Sequence, residues 1–279
     1  MKTLKPYNGD SFQVHEQAVG NKHRGELKDR LIAINPLVKN QFDIYNSHFI
    51  SISLGSLTSD AELAKSKDDL LTLYKYQSKI IRQVRENIRR QQVKTIISTC
   101  QNCTLDSVNS LDHILPKSTY PEFIVNPINL FPCCTTCNSH KLDVIEDDSG
   151  QKFLNLYLDN LPRIQYLFVN ISLDENSDLD FTYYLENPEN KIPFDFFSVI
   201  ENHYNKLHLF ERFKLKSIEY LSELESKISA FRRRLSVEDI IIDLTTAINE
   251  EKEAYGHNHW KCILESALIN SHLFMSRFE

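Results

Sequence analysis

The chain has 279 residues, with 32 Lys and Arg against 38 Asp and Glu and a formal net charge of −6. A hydrophobic content of 41%, with only 6 Gly and 9 Pro, excludes a disordered chain. The sequence has no apolar run of about 18 residues, which excludes a membrane span, and the acidic balance excludes a protein that coats nucleic acid indiscriminately.

Taken in order, Met1 to Pro6 carries charges with no apolar stretch behind them, so no export signal is expected and the reading is cytoplasmic. Leu27, Leu31, Ile34, Leu37 and Val38 have helical spacing, with a break expected near Pro36. Residues 68–93 read as one long amphipathic helix: Leu70, Leu73, Ile80, Val84 and Ile88 recur at steps of three and four, Gln77 lies on the same stripe, and Asp68 and Asp69 suit the N-terminal turn. Residues 98–142 lose that periodicity. Beyond them, 155–159 and 166–171 read as strands and 174–178 as a turn. Helical spacing returns over 198–235, through Leu221, Leu224, Ile228, Phe231 and Leu235, and over about 259–275, with Trp260, Ile263, Leu264 and Leu268. The expected class is α+β, mainly helical, with three parts: an N-terminal helical region 1–97 that holds the basic helix, a small central core 98–142, and an α-rich region 143–279 with surfaces for a partner.

Five of the six cysteines fall inside the central core. Cys100 and Cys103 form one C-x-x-C pair, and Cys134 and Cys137 a second. Two such pairs in a reducing compartment read as a four-thiolate zinc site, since each pair aims two sulfurs at one ion from a tight turn. A redox C-x-x-C is the alternative. Cys133 could stand in for Cys134, but only 134 and 137 keep the spacing; Cys262 reads as a small buried hydrophobe.

Between the pairs lie Leu111-Asp112-His113-Ile114-Leu115-Pro116-Lys117-Ser118 and then Asn126-Pro127-Ile128-Asn129, and the second pair runs on into Asn138, His140 and Lys141. This order of residues resembles the HNH endonuclease family in its zinc-stapled form. The resemblance covers about residues 98–142. It implies a ββα-metal core of a hairpin and one helix around a divalent cation. In that scheme Asp112 and Asn138 are ligands of a catalytic Mg²⁺ or Mn²⁺, His140 being an alternative to Asn138. His113 is the general base, and Asn129 holds the loop that carries it. Cys100, Cys103, Cys134 and Cys137 bind a separate structural zinc. The chemistry is coherent: a hard cation with few protein oxygens keeps positions open for phosphate and water, and a neutral imidazole takes a proton near neutral pH. Strand alternation sends Asp112 and His113 to opposite faces, so aiming both at one phosphate requires a distorted strand end. Where many members carry two glycines after the serine, Thr119 and Tyr120 follow Ser118 here, so the hairpin loop takes another path.

Charge is unevenly spread. Residues 75–94 hold seven cations against Glu86 alone, and 143–190, with Asp143, Asp147 and Asp148, hold eleven acids against two cations. Lys75, Lys79, Arg82, Arg85 and Arg89, together with Lys141, are the expected phosphate contacts. The expected substrate is DNA, cleaved with low sequence specificity because no base-reading motif is present. Stand-alone HNH proteins with large helical flanks resemble effectors of bacterial anti-phage systems, so a regulatory ATPase or another defence-system protein is the expected partner. The competing reading is a zinc-dependent nucleic-acid or protein-binding module without catalysis.

Overall fold

The computed structural model describes residues 1–142, 146–147, 150–151 and 153–278. Asp143 and Asp148 of the acidic segment lie outside the described residues. The chain is mostly helical, with three small two-stranded antiparallel sheets, and divides into two compact units. One unit comprises Thr3–Asn102 and Asp106–Asn160; the other comprises Met1–Lys2, Cys103–Leu105 and Leu161–Glu279. Residues 3–97 and most of 98–142 therefore share one unit, whose boundary falls at 160.

In the first unit α1 spans Ser11–Gly20 and α2 spans Glu26–Ile50. Asp10 starts α1 by accepting the amides of Phe12 and Gln13 at 2.9 and 3.2 Å. The expected break at Pro36 does not occur: α2 runs straight through it. Pro36 and Ile32, whose carbonyl loses its helical donor, are both exposed, so water is at hand for the freed group, while Leu31, Val38, Phe42 and Tyr45 form an uninterrupted buried stripe.

The helix expected over 68–93 is instead two. After α3 (Ala61–Lys65) come α4 (Lys67–Leu71) and α5 (Lys79–Arg90). Thr72 and Tyr74 break the run, and Ser78 starts a new helix by accepting the Ile81 amide at 3.3 Å. Lys75 thus lies in a turn. Short α6 (Lys94–Ile97) follows. Next come β1 (Ser110–His113), β2 (Leu130–Cys133) and α7 (Thr135–Lys141), then the small pair β3 (Glu146–Asp147) and β4 (Gly150–Gln151). Residues 155–159 form a turn rather than a strand, because the Asn155 side chain accepts the Tyr157 amide at 3.1 Å and the Asp159 carboxylate takes the Asn155 amide at 2.7 Å. One core unites the unit: Phe42, Leu63, Leu70, Ile81, Val84 and Ile88 pack with Leu111, Leu115 and Phe123.

In the second unit β5 (Leu167–Leu173) pairs with β6 (Leu179–Leu185) across a turn where Asp174 accepts the amides of Asn176 and Asp178. The helical spacing expected over 198–235 corresponds to two helices, α8 (Phe194–Lys206) and α9 (Leu209–Phe231), separated by the left-handed His208 at φ 51°. Then come α10 (Val237–Tyr255), α11 (Trp260–Ile269) and α12 (His272–Met275). Helix α9 packs on β6, and α11 on β5 and α10. Among the described residues no helix is long and apolar enough to cross a membrane.

Candidate metal centre and hydrolytic site

The cysteine pairs converge. The four sulfurs of Cys100, Cys103, Cys134 and Cys137 lie within 4.8 Å of one another, and all four residues are buried. Four thiolates around a tetrahedral zinc at about 2.3 Å are separated by about 3.8 Å, so the group can hold such an ion. The first pair sits in a tight turn closed by the Cys100 amide on the Asp106 carbonyl at 2.8 Å, with Thr104 left-handed at its tip. The Leu105 amide reaches the Cys103 sulfur at 3.5 Å. The second pair starts α7: Cys134 caps the helix, its sulfur accepting the Cys137 amide at 3.4 Å. Cys133 is buried but outside the tetrad, and burial pushes its thiol well above the usual range. Cys262 is fully buried, as its apolar setting implies. Among the described residues this tetrad is the one group of three or more His, Cys, Asp or Glu positioned to share an ion.

Cys134, Cys137, Asn138 and Lys141 recur at steps of three, one and three, which puts them on one stripe of α7. That stripe packs along β1. Asn138 donates to the Ser110 hydroxyl at 2.9 Å, and the Lys141 ammonium meets the Asp112 carboxylate at 2.5 Å and the His113 carbonyl at 3.1 Å. Ser110 and Asp112 are two residues apart on the strand and so share a face. Burial raises the Asp112 pKa, and Lys141 opposes that rise. The Asn138 nitrogen is committed to Ser110, which orients Oδ1 as the amide's acceptor. One carboxylate and one amide oxygen, on facing surfaces of β1 and α7, are a donor set suited to a hard divalent cation, but the ammonium of Lys141 competes for the same carboxylate. His140, the alternative to Asn138, is partly buried near the end of the same helix.

His113 faces the other way. Its Nε2 lies 2.9 Å from the Ile124 carbonyl, and its ring meets Tyr74 edge-on at 4.9 Å between centroids. A carbonyl only accepts, so Nε2 carries the proton and Nδ1 is the basic nitrogen of the neutral ring. Strand pairing is regular up to His113, opposite Leu130, and the side chains of Asp112 and His113 have separate neighbours, so the distorted strand end that would aim both at one phosphate is not found here.

Asn129, fully buried, fixes the loop between β1 and β2. Its Oδ1 accepts the Leu115 amide at 2.8 Å and the Tyr45 hydroxyl at 3.1 Å, and its nitrogen donates to the carbonyls of Leu115 at 3.0 Å and Phe123 at 3.3 Å. The structure thus brings Asp112, Asn138 and Lys141 into one neighbourhood and sets Asn129 beneath the His113 loop. Tyr45, Tyr74 and Ser110 join the site without having been foreseen. Ser110 was open to detection, two residues ahead of Asp112 on one strand face; the two tyrosines come from distant segments with no local signal.

Lys79, Arg82 and Arg89 are exposed on α5, with Arg89 and Arg90 both gripping Glu86. Arg85 lies over the Tyr76 ring at 4.0 Å. Lys141, expected as a phosphate contact, lies largely buried against Asp112.

The chain matches no family model and no solved structure. It is similar to Protein ea31 of Escherichia phage lambda, with 27% identity over 198 residues, 64% of this chain and 65% of that protein. The chain thus spans just under two thirds of the length of that relative.

Proposed function

We propose that the chain is an HNH-type endonuclease that hydrolyses DNA phosphodiester bonds with low sequence specificity, using a divalent cation and a structural zinc. The observation that carries this reading is the His113 imidazole, held by the Ile124 carbonyl and backed by the Asn129 clamp, next to a thiol-stapled strand–strand–helix. His113 takes the proton of the attacking water at Nδ1 while Nε2 stays on Ile124. Asn129 keeps the ring at one height by bonding both backbone groups of Leu115. Asp112 and Asn138 would hold Mg²⁺ or Mn²⁺, which would supply positive charge to the phosphate oxygens, with Lys141 neutralising Asp112 in its absence. Bringing His113 to the same phosphate requires the end of β1 to twist away from its regular pairing. The test is plasmid nicking with Mg²⁺ or Mn²⁺ by the wild type and by His113→Ala; equal nicking overturns the mechanism.

In its setting, the protein is a cytoplasmic effector of anti-phage defence held in check by a regulatory ATPase or another defence-system protein. The helical flanks on either side of the small stapled core support this. Co-purification of the full chain with the product of a neighbouring ATPase gene tests it, and a lone, constitutively active monomer counts against it.

One observation favours a second reading, a zinc-dependent nucleic-acid or protein-binding module without catalysis: the Lys141–Asp112 pair already satisfies the carboxylate. In that case Asp112→Ala leaves cellular activity unchanged.

A further inference from the structure

Beside the hairpin lies a cleft of about 630 Å³, within the usual range for small-ligand sites. One wall is cationic: Arg82, Arg85 and Arg89 of α5, and Lys94 of α6. Leu111 of β1 and Pro132 of β2 border the cleft but are themselves buried, so the apolar surface it presents comes chiefly from the partly exposed Tyr76 and Val108. Glu86 is the one carboxylate in the lining, and its two arginine partners hold its pKa down to about 2, so it stays ionised and saturated. Arg82, Arg85 and Lys94 have no carboxylate partner among the described residues. The Arg85 guanidinium carbon lies 4.0 Å from the centre of the Tyr76 ring, and its buried Nε has no acceptor among the described residues. Four cations beside one carboxylate favour an anion, and the Tyr76 ring with Arg85 over it favours a planar ring. A nucleotide offers both.

We propose that this cleft holds one nucleotide of a bound strand, its phosphate on the α5–α6 cations and its base beside Tyr76 and Val108. The position fits. Leu111 precedes His113 by two residues, so both point to the same face of β1, roughly 6.6 Å apart. Tyr74 touches the His113 ring, and Tyr76 lines the cleft. The cleft therefore sits next in line to the phosphate that His113 serves, and it selects strands whose neighbouring base can leave the stack. The inference rests on the hydrolase reading for the strand's path; the binding chemistry of the cleft does not depend on it.

The experiment measures binding rather than cleavage. Fluorescence anisotropy follows a dye-labelled single-stranded 12-mer on the full-length, zinc-loaded protein with no other divalent cation added. Competitors are adenosine 5′-monophosphate, adenosine, inorganic phosphate and polyglutamate. Two variants change exposed positions: Arg82→Glu with Lys94→Glu removes charge, and Ser98→Trp fills the cleft without altering charge. Each is expected to weaken binding by about tenfold or more while melting as the wild type does. The monophosphate should compete better than phosphate or adenosine, yet less well than unlabelled 12-mer. Unchanged binding by Ser98→Trp, phosphate competing as well as the nucleotide, a free nucleotide binding more tightly than the strand, or displacement by polyglutamate at equal charge would each overturn the proposal. Equal nicking by wild type and His113→Ala defeats the hydrolase reading and leaves these binding outcomes standing, so the two failures are distinguishable.

Discussion

Asn129 and Leu115 are joined twice: the Asn129 amide oxygen accepts the Leu115 N–H at 2.8 Å, and its nitrogen donates to the Leu115 carbonyl at 3.0 Å. A side chain that completes both backbone groups of one residue acts as a missing strand, pinning the segment just after His113. Asn129→Ala leaves those groups unpaired in a buried site and the Tyr45 hydroxyl with only the Ile128 carbonyl at 3.5 Å. At about 1–3 kcal/mol for each buried unsatisfied group, less what relaxation recovers, the expected loss is about 2–4 kcal/mol. Denaturant unfolding measures it, and nicking activity should fall more steeply than stability does.

The tetrad makes a sharp distinction between adjacent cysteines. Cys134→Ser should lower bound zinc from one ion per chain, and Cys133→Ser should leave it unchanged, as read by metal analysis or by the thiolate-to-metal absorption of a cobalt-substituted sample. Chelation of the wild type should melt the 98–142 region first.

Lys141→Met leaves the buried Asp112 carboxylate without its cation. Breaking a buried pair from one side costs about 3–5 kcal/mol, so this variant should unfold well below the wild type when no divalent ion is present. If Asp112 is a ligand, Mn²⁺ should raise the melting temperature of Lys141→Met more than that of the wild type, because the ion no longer competes with an ammonium.

Acid sensitivity has an address in the first unit. His15 is fully buried between Phe12 and Phe42, its Nε2 on Asn35, and burial lowers its pKa to about 4. The folded value lies below the unfolded one, near 6.5, so the unfolded chain binds the proton first. Its contribution is whole above pH 6.5 and disappears as pH falls toward 4, amounting to about 3 kcal/mol. His15→Phe, which keeps the ring packing, should flatten stability between pH 6.5 and 4 in urea titrations.

Local chemistry made the tetrad spacing, the strand at 166–171 and the turn at 174–178 legible, because each depends on residues a few positions apart. Periodicity misled where capping decided: Leu70 to Ile88 keep helical spacing, but Ser78 begins a new helix within that run. Pro36 misled in the opposite direction, since a buried stripe on one side and solvent on the other let α2 continue. The Ser236 cap of α10, which accepts the Asp239 amide, was a readable signal that apolar spacing alone passed over. The Lys141–Asp112 pair depends on how α7 lies along β1, which no linear pattern encodes.

Helix α7 has seven residues, fewer than an isolated helix needs to persist in water. Cys134 and Cys137 occupy its first turn, and Asn138 and Lys141 its second, so the half that faces Ser110 and Asp112 is held in shape by the half that faces the sulfurs. Oxidation of a single thiol in the tetrad would therefore act at a distance of one helical turn, disturbing the Asn138–Ser110 and Lys141–Asp112 contacts it never touches. The protein's working lifetime in an oxidising burst should follow the fate of its sulfurs rather than that of its imidazole.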